Sequence, residues 1–149
     1  MDKKICLTGP AFEKLLEHMV KLEENKSKMI DEYFPEYGDE RSGFIELFSY
    51  YLSEMDRIIK KIKISDDADD TFPFVVIGSE VKIQDIDEDE LFTYRLVSPF
   101  DRDITNGCVS FISPVGKALL FKRKGEDFSV KTPGGIYRYR IKHIRIGLF

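Results

Sequence analysis

The 149-residue sequence predicts an α+β protein: an N-terminal antiparallel helical hairpin followed by a small antiparallel sheet domain that carries one short helix. Three observations lead there. Apolar residues recur at alternating steps of three and four through residues 10–64, the period changes to strand-like after Phe72–Pro73, and the acidic stretch 65–73 separates the two patterns. The expected organisation is a hairpin over 1–64 with its tip at 35–43, a linker over 65–73, and a C-terminal domain over 74–149.

The first helix is expected over 10–34, because Phe12, Leu15, Met19, Leu22, Lys26, Met29 and Tyr33 fall on one seam. The second is expected over 44–64, where Phe44, Phe48, Tyr51, Met55, Ile58 and Ile62 do the same. Leu16, Val20, Ile30, Leu47, Leu52 and Ile59 widen the two stripes. Thr8 is suited to capping the first helix and Pro10 to its first turn. Pro35 stops it, since proline lacks an amide hydrogen and clashes with the preceding turn. At 1.5 Å per residue the first helix would be about 35–38 Å long, too long for two helices to wrap a globular core, so the hairpin should project.

The linker Ser65-Asp66-Asp67-Ala68-Asp69-Asp70-Thr71 has no periodicity. Beyond it, Phe74–Ile77 reads as a short strand, Glu80–Asp85 and Leu91–Val97 as a hairpin turning at Asp87–Glu90, and Cys108–Ile112 as a further strand. Ser113-Pro114 opens a brief helix, Val115–Phe121, with Ser113 as cap. Phe128–Lys131 and Ile136–Ile146 flank Thr132-Pro133-Gly134-Gly135, a turn in which glycine supplies positive φ. The last strand alternates through Tyr137, Tyr139 and Ile141, then changes phase to Ile144 and Ile146. A bulge near Lys142–His143 would reconcile the two halves.

Composition excludes several classes of function. With 42% hydrophobic and 34% charged residues the chain is neither a disordered tail nor a membrane protein, and no apolar run approaches a membrane span. No apolar core follows Lys3–Lys4, so no signal peptide is expected. Cys6 and Cys108 are too few for a disulfide framework or a zinc ribbon and suit a reducing cytosol. The net charge of −4 hides an asymmetry, since residues 1–70 hold 11 Lys/Arg against 17 Asp/Glu while residues from Gly107 onward hold nine against two. Such polarity could orient the molecule on a charged partner, but an acidic chain is a poor free binder of nucleic acid.

Catalytic motifs are missing. His18 and His143 have no metal-ligand partner at helical spacing and are expected at the surface. No phosphate-binding lysine loop, dinucleotide fingerprint or nucleophile elbow occurs. Ser113 is explained as a helix cap and Gly134-Gly135 as a hairpin turn. The basic run Lys122-Arg123-Lys124 reads as a solvated face, near nucleic acid or an acidic surface at most. The tip is more informative. Glu36, Asp39 and Glu40 crowd three carboxylates where two helices turn, a repulsion that a divalent cation such as Mg²⁺, held by one or two carboxylates plus outside ligands, would relieve. From the residues alone the plainer explanation is a solvated loop whose acids favour the N-terminus of the next helix.

A charged helical hairpin with an acidic Gly-Asp tip, followed by a small sheet domain, resembles the bacterial Gre transcript-cleavage factors, the GreA/GreB family. The resemblance covers nearly the whole chain. It is strongest in Val76-Ile77-Gly78-Ser79-Glu80-Val81, Phe92-Thr93-Tyr94-Arg95-Leu96-Val97, Ile112-Ser113-Pro114-Val115-Gly116-Lys117-Ala118-Leu119-Leu120 and Val130-Lys131-Thr132-Pro133-Gly134-Gly135. It is looser in Leu7-Thr8, Glu13-Lys14-Leu15 and Gly38-Asp39.

The resemblance implies an FKBP-like C-terminal domain that docks on bacterial RNA polymerase beside its secondary channel. It further implies a coiled coil that enters the channel and brings the tip to the active centre and the nascent RNA. There, tip carboxylates help hold the second Mg²⁺ and position a water, and the polymerase cuts the backtracked RNA 3′ end. Carried onto this sequence, Asp39, with Glu40 or Glu36 beside it, would be the catalytic acids, and Asp39 and Glu40 the Mg²⁺ ligands. Ser113, Pro114, Val115, Gly116, Thr132, Pro133 and Gly134 would lie at the docking surface. The chain would be a cytoplasmic, monomeric accessory factor without an activity of its own and without a membrane. The family's second tip acid, three residues after the Asp, is here Ser42, and the usual Asn is Gly43. A non-catalytic channel binder that modulates or inhibits the polymerase is therefore the alternative. Peptidyl-prolyl isomerase activity would rest on fold analogy only.

Overall fold

The computed structural model describes residues 5–68, 72–97 and 107–146. The chain divides into two compact units, 1–69 together with 149, and 70–148. Helix and sheet are both present, each largely confined to its own unit.

The first unit runs β1 (Ile5–Leu7), α1 (Gly9–Glu24), α2 (Lys26–Tyr33), α3 (Asp39–Ile59) and β2 (Ile62–Ile64). Thr8 caps α1 as its sequence suggests, its Oγ1 accepting from the Ala11 N–H at 3.3 Å. The helix expected over 10–34 is interrupted at Asn25, which adopts φ −97° and ψ 3°. At the break the Asn25 side chain bonds back to its own helix, its Nδ2 sharing the Lys21 carbonyl, at 2.8 Å, with the Asn25 N–H. The backbone bonds Asn25 N–H to Lys21 O and Met29 N–H to Asn25 O carry the chain across the break.

The return helix also differs from expectation. It begins at Asp39 rather than 44 and ends at Ile59, so the connection shrinks to residues 34–38 and Ile62 belongs to a strand. Gly38, in extended conformation, ends the connection, and Asp39 and Glu40 favour the positive end of the helix dipole just after it. Neither β1 nor β2 was expected. They pair in parallel, Ile5 opposite Ile62 and Leu7 opposite Ile64, so the chain leaves and returns at one place.

Most of each seam packs as its spacing requires, but Phe12 and Ile62 are only half-buried, and Tyr33 is exposed together with Leu16 and Val20 of the widened stripe. Leu15, Met19, Leu22 and Met29 are buried, as are Phe44, Phe48, Tyr51, Met55 and Ile58. The one cation on the seam, Lys26, directs its Nζ to Ser49 Oγ on α3 at 3.1 Å, which fixes the register of one leg against the other.

The second unit is a five-stranded sheet of β3 (Ser79–Asp85), β4 (Glu90–Val97), β5 (Cys108–Ser110), β6 (Asp127–Thr132) and β7 (Gly135–Ile146), in the order β5-β4-β3-β7-β6, with α4 (Pro114–Leu119) between β5 and β6 in sequence. It is not wholly antiparallel, because β5 joins β4 in parallel, Arg95 opposite Cys108. The run Phe74–Ile77 is not a strand. Val75, Val76 and Ile77 are fully buried in an irregular segment whose backbone bonds go to the residues just after α4: Val75 N–H to Lys122 O at 3.0 Å and Phe121 N–H to Val75 O at 2.8 Å. Burial, not ladder pairing, explains that apolar run. The bulge falls where the alternation breaks: Lys82 faces His143 and Ile83 faces Ile141, leaving Lys142 over, so that Ile141 and Ile144 both reach the core.

The expected linker is tied at both ends. Ser65 N–H donates to Leu7 O and Phe72 N–H to Ile144 O, while residues 69–71 lie outside those described. His18 and His143 are half-buried rather than at the surface. Among the described residues, no helix is long and apolar enough to cross a membrane.

Two guanidinium–carboxylate pairs bracket the long hairpin of the sheet. Arg138 Nη2 lies 2.7 Å from Asp87 Oδ1, and Arg140 grips Asp127 with Nε at 2.7 Å and Nη2 at 3.1 Å. The hydrogen bond from each arginine holds its carboxyl below the ordinary 3.8. Since folded values lie below unfolded ones, these pairs stabilise the fold above about pH 4 and lose that contribution as pH falls through the depressed values. Acid melting curves should therefore show a shallower pH dependence for Asp127→Asn than for the wild type, with only a small difference at pH 7 because both pairs are exposed.

Gly116 makes a sharper test. A Cβ there would overlap the Ser110 carbonyl oxygen and stand 2.7 Å from Phe111 Cα, both backbone atoms that cannot swing aside. Gly116→Ala should lower stability by about 3 kcal/mol or more, read as a drop in the urea midpoint.

Candidate functional site

The connection between α2 and α3 gathers the chemistry that the sequence singles out. Glu36, Asp39 and Glu40 are all exposed there, Glu36 in the connection and the other two in the first turn of α3. Among the described residues none of the three carboxylates has a hydrogen bond or ion pair, and no group of three Asp, Glu, His or Cys side chains is placed to hold a metal. The structure thus presents the acids without assembling them into a closed cation site.

Helical geometry sorts them. At about 100° per residue, positions three and four along share a side. Ser42 therefore lies on the side of Asp39, Gly43 lies between Asp39 and Glu40, and Glu40 is turned toward the side of Phe44, which is buried. Glu40 is adjacent in sequence yet directed differently. Glu36 belongs to another segment altogether.

Sequence reasoning passed over the residue that organises this turn. Arg41 donates from Nη1 to the Phe34 carbonyl at 2.8 Å and from Nη2 to Asp31 Oδ1 at 3.1 Å, and its Cζ sits 4.6 Å from the centre of the Tyr37 ring. Its side chain is only 15% exposed. Beneath it, Phe34 stacks on Phe44 at 4.8 Å and Phe44 on Phe48 at 5.6 Å. The signal available in the sequence was a lone arginine among acids with Phe and Tyr within seven residues.

In the sheet unit the other singled-out residues carry local structure. Ser113 caps α4, its Oγ accepting from Gly116 N–H at 3.1 Å and donating to Ser110 O at 2.6 Å. That hydroxyl is committed to capping the helix. Pro114 is exposed, Val115 half-buried and Gly116 buried. Thr132 closes its turn by accepting from Gly134 N–H and donating to Gly135 O, both at 3.2 Å, while Pro133 and Gly134 are exposed and Gly135 adopts φ 133°. The basic run is partly committed. The Arg123 guanidinium lies 4.9 Å from the Phe74 ring centre, and its backbone N–H donates to Glu126.

A helical excursion with exposed acids at its turn and a separate five-stranded sheet unit define the class. Residues 69–146 match the family model described as transcription elongation factor, GreA/GreB, C-terminal. Over 160 residues the chain is 31% identical to a protein named transcription elongation factor GreA from Chloroherpeton thalassium, covering 98% of this chain and 99% of that one. A relative of the same name from Caldanaerobacter subterraneus is 31% identical over 156 residues, with 97% and 99% covered. A solved structure titled prokaryotic transcription elongation factor GreA/GreB from Nitrosomonas europaea shares the fold, with a TM-score of 0.52, 23% identity, and 95% and 99% of the two chains covered. The chain belongs to the GreA/GreB family of transcription elongation factors.

Proposed function

We propose that this chain binds bacterial RNA polymerase at its secondary channel and stimulates the polymerase's own cleavage of backtracked RNA. In this reading the helical unit is a projecting coiled-coil hairpin, and the sheet unit is an FKBP-like docking domain joined to it by the acidic linker. Contact with the nascent RNA is made only within the elongation complex, and the factor works as a cytoplasmic monomer.

The observation that carries the reading is Asp39. It follows the Gly38 that ends the connection, stands exposed in the first turn of α3, and is tied up by no hydrogen bond or ion pair among the described residues. Mg²⁺ takes few protein carboxylates and keeps places for other ligands, so an open Asp39 with one neighbouring acid suits an ion shared with the polymerase better than an ion held by this chain alone. Asp39 and Glu40 would be the ligands from this chain, with Glu36 next in reach. Pro114 and the Pro133–Gly134 turn, exposed on short rigid elements, would meet the polymerase, while Ser113, Val115, Gly116 and Thr132 hold those elements in shape.

The test is RNA shortening in a stalled, backtracked elongation complex at several Mg²⁺ concentrations. Wild type should shorten the transcript, and Asp39→Ala should cut the rate on the order of 100-fold. Glu40→Ala should cost less, because Glu40 lies on another side of the helix. Ser42→Glu, which adds a carboxylate on the side of Asp39, should raise the rate about 10-fold and lower the Mg²⁺ requirement. Bound wild-type protein that gives no shortening and suppresses cleavage by an active relative would replace this reading with that of a non-catalytic channel binder, which Ser42 and Gly43 beside Asp39 would then explain.

A further inference from the structure

We propose that Arg41 is a positioning residue for transcript cleavage: it ties the two helical legs together across the turn and so holds Asp39 where the reaction needs it. This rests on the cleavage reading above and concerns a residue that reading does not use.

The start of α3 carries the acids that a helix N-terminus favours, Asp39 and Glu40, but no side-chain cap bond. Its cap is Gly38, which offers no side chain, and Gly43 lies within the same helix. Gly43, inside the helix, lowers its intrinsic preference, while Gly38 is a tolerated cap that adds no side-chain bond. Arg41 supplies what is missing. A single guanidinium, anchored on α3, reaches the Phe34 carbonyl that ends α2, the Asp31 carboxylate on α2, and the face of Tyr37 in the connection. A planar fork can satisfy an oxygen of each kind at once, and a cation is favoured at the carbonyl end of a helix.

The arrangement also separates charges. Arg41 is matched by Asp31 and by the C-terminal end of α2, so it does not neutralise Glu36, Asp39 or Glu40. The carboxylates stay available to a cation while the cation nearest them in sequence is spent on structure. Because a displacement of about 1 Å can cost on the order of 100-fold in rate, such a brace acts on turnover more than on binding.

Two measurements on the full-length chain decide it, with Arg41→Ala and Arg41→Lys beside the wild type. In the free protein, amide hydrogen exchange over residues 39–43, including the Ser42 N–H bonded to Gly38 O, should quicken at least 10-fold in Arg41→Ala and remain unchanged around Met55. In the backtracked complex, Arg41→Ala should lower the cleavage rate at saturating factor about 10-fold or more, with the half-saturating concentration within about twofold of wild type. Arg41→Lys, which keeps the charge and loses the fork, should recover only part of the rate. Exchange like wild type in Arg41→Ala overturns the brace. A saturating rate like wild type overturns its role in cleavage, and so does a fall in rate matched by an equal loss of affinity and helicity. A wild type that cleaves nothing overturns the proposed function instead, and the exchange arm still decides whether Arg41 braces the turn.

Discussion

Everything in the helical unit depends on closing a long excursion at its root. The parallel pairing of Ile5–Leu7 with Ile62–Ile64 places the start of α1 and the end of α3 side by side. A parallel pair requires a crossover, and here the crossover is made of α1, α2 and α3. Ile5 and Leu7 are buried, so the pairing is held by apolar packing as well as by its few backbone bonds, and Ser65 N–H to Leu7 O lengthens it by one rung. With the root fixed, the Lys26–Ser49 contact sets the axial register, and Arg41 fastens the far turn. Three ties of different chemistry, at the root, along the legs and at the turn, determine where Asp39 stands.

The sheet unit follows a different logic, in which one close approach governs the rest. Gly116 lets α4 come against the backbone of Ser110 and Phe111, and the Ser113 cap starts the helix at the one place where that approach works. The buried Val75–Ile77 segment then bonds to the residues after α4, and the bulge at Lys142 returns β7 to the same core. The motif Ser-Pro-Val-Gly is therefore largely explained by folding, and only Pro114 in it is left well exposed.

The regular parts of this architecture were legible because their causes are local. The seams on α1 and α3, the Thr8 and Ser113 caps, the Thr132–Gly135 turn and the bulge all follow from spacing or from the conformational needs of a few adjacent residues. What escaped was set at longer range. β1 and β2 are three-residue strands that exist only because residues some 57 positions apart are brought together by the helices between them. Val75–Ile77 looked like a strand because burial on all sides produces the same apolar run as a central strand does. β5 was found but its direction was not, since nothing within three residues encodes parallel pairing. At the turn, the exposed acids could be read from the sequence, whereas the Arg41 contacts could not, because Asp31 and Phe34 lie across a turn whose length was overestimated.

The edges of the five-stranded sheet bear on self-association. One outer strand, β5, has three residues, and the other, β6, carries Asp127 and Lys131 exposed along six. A sheet edge is a template on which another chain can add hydrogen bonds rung by rung, and a short or charged edge makes a poor one. A second copy arriving at β5 would find three rungs, and at β6 it would have to seat its own side chains against fixed charges of both signs. Among the described residues the sheet thus ends in a way that discourages its strands from recruiting those of another copy at its borders.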